Sequence, residues 1–165
     1  MKATDMSPVE GRQLLAMLRE LIELAGLLIP YINNRHPDGP IRTGGYFRVW
    51  QRIEPDGSYL EVLGCAVGEL GVKLPKYLSI SCEKGERLAE YLDHVSSWQS
   101  RNEDSEMYGG AIRCGPFIFS FSGLPEKWDE ALMILLARKF HLLDVAQEEA
   151  IIQVSKNECL ALFGG

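Results

Sequence analysis

The apolar positions of this chain follow two rhythms. Near the start, Leu14, Leu15, Leu18, Leu21, Ile22, Ala25 and Leu28 recur in steps of three and four. That spacing gathers side chains on one face of a helix. Ser7, Pro8 and Glu10 precede the stripe in the order of a capping box with proline in the first turn. Pro30 is expected to end or bend the helix. Gly39, Pro40, Gly44 and Gly45 read as a loop. From Tyr46 to Ile53 the pattern changes to alternation, Pro55-Asp56-Gly57 signals a turn, and Ser58 to Val67 reads as the partner strand of an antiparallel hairpin. After Gly71, Tyr77 to Ser81 is expected as a third strand. Glu83 to Gln99 is expected as a helix carrying Leu88, Tyr91, Leu92 and Val95, and Ser100 to Glu106 as a polar loop.

The second half is denser in signals. Ala111-Ile112-Arg113 reads as a short strand, Cys114-Gly115-Pro116 as a turn and Phe117 to Phe121 as a compact apolar strand. Its three phenylalanines share one face by the period of two. Ser122-Gly123-Leu124 leads into a helix with Pro125 near its first position. Glu126, Asp129 and Glu130 crowd the first turn, where negative charge suits the helix dipole. Ala131 to His141 continues this helix, and Asp144 to Ser155 forms the last one. This order predicts a single α/β (α+β) domain over residues 1–165, with a mainly antiparallel sheet flanked by helices. No Rossmann-type alternation of strand and helix is present.

Composition narrows the function classes. Of 165 residues, 46% are hydrophobic and 24% charged, values of a folded domain rather than a disordered chain. Acidic residues outnumber basic ones 23 to 17, and the net charge of -6 argues against nucleic acid as a partner. The first six residues lack an apolar signal core. Leu21 to Ile32 is too short to span a bilayer and contains Glu23 and Pro30, so no membrane role is expected. Cys65, Cys82, Cys114 and Cys159 lie far apart with no close metal-ligand pair, which reads as free thiols in a reducing compartment. A soluble cytoplasmic protein is the expectation.

Gly109-Gly110-Ala111-Ile112, then Ser122-Gly123-Leu124-Pro125, then Asp129-Glu130 together resemble the GlcG/HbpS-like superfamily, which includes haem-binding and PduO C-terminal domains. The resemblance implies a profilin-like fold, a five-stranded antiparallel sheet with helices on both faces. It also implies frequent homo-oligomers and a pocket near the glycines. This chain has Glu130 where the family's Asp-His version carries histidine. It has Gly85-Glu86-Arg87-Leu88-Ala89 where many relatives carry a Lys-Ala pair.

The candidate ligand-binding residues are Gly109, Gly110, Ser122, Gly123 and His94. At Ser122-Gly123 a strand ends, glycine permits close approach of a ligand, and a helix N-terminus offers amides to a carboxylate or phosphate. The plain alternative is capping, with Glu126 and Asp129 occupying those amides. His94 is a candidate haem ligand or base beside Asp93, against the plainer reading of a half-exposed helix residue. His36 sits in a Pro/Gly/Asn loop and His141 near a helix end. No nucleophile constellation is visible: Ser122 lacks the G-x-S-x-G elbow, and Cys82 has Glu83 next to it. Leu14-Leu15 and Leu27-Leu28-Ile29 widen the first helix's stripe beyond what one small sheet covers, which points to a homo-oligomer. Three functions follow in order: a small-ligand or partner-binding oligomeric domain without catalysis, a haem- or tetrapyrrole-binding protein, and an enzyme acting on a small anionic metabolite at Ser122.

Overall fold

Two hairpins build one sheet, and their alternation decides which side chains face which helices. The structure, a computed structural model, describes residues 8–35 and 40–163, so the cap at Ser7 and the loop residues His36 and Gly39 lie outside the described residues. Helix α1 (Pro8–Asn34) leads to strands β1 (Gly44–Ile53) and β2 (Ser58–Gly68), then helix α2 (Leu74–Glu90). Strands β3 (Ala111–Cys114) and β4 (Phe117–Ser122) follow, and helices α3 (Glu126–Lys139) and α4 (Val145–Ser155) close the chain. The sheet is antiparallel, four-stranded, in the order β2-β1-β4-β3. The fold is therefore α+β, and no described helix is long and apolar enough to cross a membrane.

The phenylalanine strand behaves as its period requires. Phe117, Phe119 and Phe121 join Phe47, Val49 and Ile112 in a core that Leu21, Ala25 and Ile29 of α1, Leu132 and Leu136 of α3 and Ile151 of α4 complete. Phe47 meets Phe119 edge-on at 5.8 Å between ring centroids. The opposite face is smaller, with Trp50, Ala111 and Ile118 against Leu88 of α2. One helix thus covers that face, and Arg48 replaces apolar contact there, donating to Ser81 Oγ and the Leu78 carbonyl of α2, each at 3.0 Å. The outer edge of β3 is shielded by residues 95–96, whose Val95 carbonyl accepts the Arg113 amide. The outer edge of β2 pairs with no described strand.

Three expectations need correction. Tyr77 to Ser81 is not a strand but the first half of α2, so the sheet has four described strands. Besides Arg87, which turns to the loop after the helix, the buried residues of α2 are Tyr77, Ser81, Lys84, Gly85 and Leu88, a clear helical spacing. Three of those five are polar or glycine, so a search for apolar residues misses the period, while Pro75 at the helix start was the readable signal. The helix expected to reach Gln99 stops at Glu90. Arg113 takes the Leu88 carbonyl at 2.7 Å and the Tyr91 carbonyl at 3.0 Å, ending the helix against β3. Finally, of the two outcomes expected at Pro30, an end or a bend, the end is overturned: α1 continues through it to Asn34. Pro30 and Gly26 both lie exposed, so the carbonyl that loses its helical donor faces water.

Gly85 is fixed by packing. A Cβ there would stand 2.1 Å from the Trp50 ring. Gly85→Ala is therefore expected to destabilise the fold by about 1–3 kcal/mol through overpacking. The measurement is a drop in the urea midpoint at unchanged slope.

Candidate functional site

The glycine-rich junction is brought together as the sequence implies, but it is filled. Gly109, Gly110, Ser122 and Gly123 are all buried. A Cβ on Gly123 would lie 2.4 Å from the Gly44 carbonyl oxygen, and one on Gly109 would lie 2.4 Å from the Trp98 ring. Gly110 has φ +120°, and a Cβ there would meet Lys84 Nζ at 2.5 Å and Asp129 Cβ at 2.8 Å. The space a ligand would use is occupied by those two side chains. Lys84, wholly buried, donates to the Gly109 carbonyl at 2.9 Å and to Asp129 Oδ2 at 3.1 Å. Asp129 Oδ1 accepts the Leu124 amide at 2.8 Å. That amide belongs to the turn before α3, whose N-cap Pro125 has no side-chain cap, so Asp129 ties down the turn rather than capping the helix as the plain reading expected.

Neighbouring charges are spent in the same way. Glu126 accepts two bonds from Arg101, each at 2.8 Å, and the Gly109 amide at 2.9 Å. Glu130, buried, accepts from Ser96 and Ser155 hydroxyls at 2.5 Å each and from Asn157 Nδ2 at 3.1 Å. Arg87 threads the loop after α2, donating to the Ser97 and Tyr108 carbonyls at 2.7 Å each and forking onto Glu83. Burial pushes the Asp129 carboxyl up to about 7, against the opposing pull of the Lys84 charge and the Leu124 amide. Burial also raises Glu130, with Ser155 and Ser96 opposing it. At Glu126 burial acts upward, but the Arg101 and Gly109 hydrogen bonds outweigh it and hold the group below its usual range.

His94 stands apart from the junction. It lies in the turn after α2, stacked on Tyr91 at 4.7 Å between centroids, with its Nδ1 buried and without a partner. Its backbone carbonyl accepts from Arg113 at 3.0 Å. Cys82 lies inside α2, half-buried, donating to Glu86 at 3.3 Å. Burial and then the Glu86 contact push its thiol up, the direction of an unreactive sulfur. Among the described residues, no cluster of three or more His, Cys, Asp or Glu forms a metal-binding group.

Two concavities remain. A broad groove of about 810 Å³ runs along the outer side of α2, past Arg48, Leu78, Cys82, Glu86 and Tyr91. It is shallow, and its two arginines are already paired with Glu61 and Glu83. The second is a smaller cavity of about 340 Å³ where the α1–β1 loop meets the end of β2 and the start of α2. Arg42, Thr43, Glu69, Lys73 and Tyr77 line it, with Ile41, Leu70 and Val72. Arg42 is held there by its backbone: its amide donates to Asn33 Oδ1 at 3.1 Å, and Asn33 Nδ2 donates to its carbonyl. Thr43 and Glu69 close the floor, through the Thr43 hydroxyl on the Glu69 carbonyl at 2.6 Å and the Glu69 amide on the Thr43 carbonyl at 3.0 Å. The Arg42 Nε is buried and has no hydrogen-bond partner. A buried donor left unmade costs about 1–3 kcal/mol, so it requires an explanation.

Neither concavity includes His94 or the junction glycines, although Gly44 beside Gly123 borders the smaller one. Sequence reasoning did not find Arg42, Lys84 or the buried role of Asp129. Asp129 carried a signal, as an acid in a first helical turn, but Lys84 and Arg42 have no local pattern to mark them. No family model matches the chain, and comparison with the curated proteins and with the solved structures finds no match.

Above pH ~7, where Asp129 is ionised, Lys84→Met leaves it without its counter-charge and is expected to cost about 3–5 kcal/mol in urea unfolding, with Lys84→Met/Asp129→Leu recovering part of the loss. The pH dependence has a defined sign. Asp129 keeps its proton in the folded state up to about 7, whereas the unfolded chain releases it near ~4. Its contribution is therefore full below ~4 and is lost as pH rises through about 7. Glu130 acts in the same direction and Glu126 in the opposite one. Asp129→Asn should flatten the fall in stability across this window in a urea series at stepped pH.

Proposed function

We propose that the protein is a small-ligand-binding domain that works without a covalent step, and that its ligand is an anion held at Arg42. The observation that carries this reading is Arg42 on the wall of a 340 Å³ cavity, with its Nε left without a hydrogen-bond partner behind that wall. A guanidinium fixed by its backbone and short of an acceptor is a ready anion receptor. The cavity is at the small end of the roughly 300–1,000 Å³ range of ligand sites. The buried acids and bases near the junction favour binding over catalysis, since Lys84, Asp129, Glu130 and Arg87 are each engaged inside the fold.

The kinship with GlcG/HbpS-like domains belongs to this proposal. An antiparallel sheet with helices on both faces supports it, as does the turn from β4 through Ser122-Gly123 into α3. In this reading the profilin-like five-strand arrangement is reduced to four strands by the helical Tyr77–Ser81 segment. A homo-oligomer fits the exposed Leu15 and Leu27 on α1. Four free cysteines fit a cytoplasmic protein.

The test is thermal unfolding with graded small anions, inorganic phosphate and short-chain carboxylates. Ligand at about 100-fold above its dissociation constant adds ~2.7 kcal/mol, or a Tm rise of several degrees for a chain of this size. A dose-dependent rise is expected for wild type and Ser122→Ala and is expected to vanish in Arg42→Ala. A rise that survives Arg42→Ala and is lost in Ser122→Ala would return the site to the junction.

A further inference from the structure

We infer that two copies of this chain pair along the outer edge of β2, antiparallel across a two-fold axis at Cys65, joining their four-stranded sheets into one. This gives the homo-oligomer of the preceding reading its surface, β2 rather than α1, and is independent of the anion site. The strand register fixes which backbone groups are free. The Glu69 amide donates to the Thr43 carbonyl, so these two residues form a hydrogen-bonded pair. Every second pair from there does the same: Gly45 with Val67, Phe47 with Cys65, Val49 with Leu63. The residues between them, Gly64 and Ala66, therefore turn their N–H and C=O groups away from β1, and both are exposed. No described strand takes those groups. The opposite edge of the sheet is treated differently, since the chain's own Val95 carbonyl accepts the Arg113 amide of β3.

The middle of the β2 edge lacks what keeps strands apart, namely lysine, proline or a bulge. β2 contains no lysine or proline, and its single charge, Glu61, is paired with Arg48. The bulge falls at Val62, between Leu63 opposite Val49 and Glu61 opposite Trp50. At the other end Gly68, with φ +74°, closes the regular stretch. Leu63 to Val67 remains, uncharged and centred on Cys65. A foreign strand would be recognised through pockets for its side chains. On the face towards α2 this stretch offers only Gly64 and Ala66, which admit another backbone closely and give a foreign sequence nothing to be read by. An identical strand needs no such reading. Laid antiparallel, Gly64 meets Ala66 of the partner subunit and Ala66 meets Gly64 of the partner subunit, each pair exchanging both of its hydrogen bonds. Cys65 then faces Cys65 of the partner subunit as a non-hydrogen-bonded pair, with Cα atoms about 4.5 Å apart.

Light scattering across a dilution series reads the assembly. Wild type is expected at twice the 18.5 kDa chain mass, dissociating on dilution. Ala66→Pro removes an amide that the β1 ladder does not use, so the circular dichroism of the fold should persist while the dissociation constant rises at least about tenfold. Ala66→Lys, which keeps the amide and sets a charge on the edge, should act in the same way. Diamide, a thiol oxidant, should link wild type and Cys82→Ser into a covalent dimer, because the expected spacing lies within the range of about 4.4–6.8 Å that a disulfide spans. Cys65→Ser should give no such dimer. A monomer at every concentration refutes the pairing and the homo-oligomer together. A dimer that persists in both Ala66 variants, or that oxidation links through another cysteine, refutes β2 as the surface while the homo-oligomer stands.

Discussion

Lys84 and Asp129 reach each other past the end of the sheet, one from each helical layer, with both side chains buried. α2 and α3 lie on opposite faces, so this ion pair ties together all three layers. Its position depends on Gly110, whose missing Cβ and left-handed φ leave room for the ammonium. It depends also on the Leu124 amide, which satisfies the second carboxylate oxygen. Such a pair adds little to net stability against an apolar substitute, yet breaking half of it is costly. Its effect is to specify one arrangement: the turn into α3, the start of β3 and the middle of α2 can meet in only one way.

This accounts for the fate of the glycine-rich junction. Small residues and a helix start read in sequence as room for a ligand. In three dimensions the room is taken by the chain's own lysine, a residue 25 positions before Gly109, and by its own aspartate. Glycine permits close approach without saying what approaches. The residues whose pattern reads as a ligand site are here the packing surface of an internal ion pair.

Most elements were legible because their physics is local. The β1–β2 hairpin announced itself through alternation and Pro55-Asp56-Gly57, the phenylalanine strand through its period, and α4 through Asp144, whose side chain accepts the Gln147 amide at 2.7 Å. The α2 helix was misread at its start because its inner face carries Ser81, Lys84 and Gly85. Each is there for a distant partner: Arg48 for the serine, Asp129 for the lysine, Trp50 for the glycine. The Arg42 cavity was invisible for the same reason. Its walls come from the loop before β1, the end of β2 and the turn into α2, and only the folded chain gathers them.

The contact between Trp50 and Gly85 reaches beyond this one molecule. An indole on one strand and a bare backbone on the facing helix form a lock whose halves cannot drift separately. Over evolutionary time the two positions should change as a couple, a smaller side chain at the first freeing the second to regain a β-carbon. Distant kin whose overall likeness has faded could then be recognised by that compensation, a fossil of the geometry rather than of the letters.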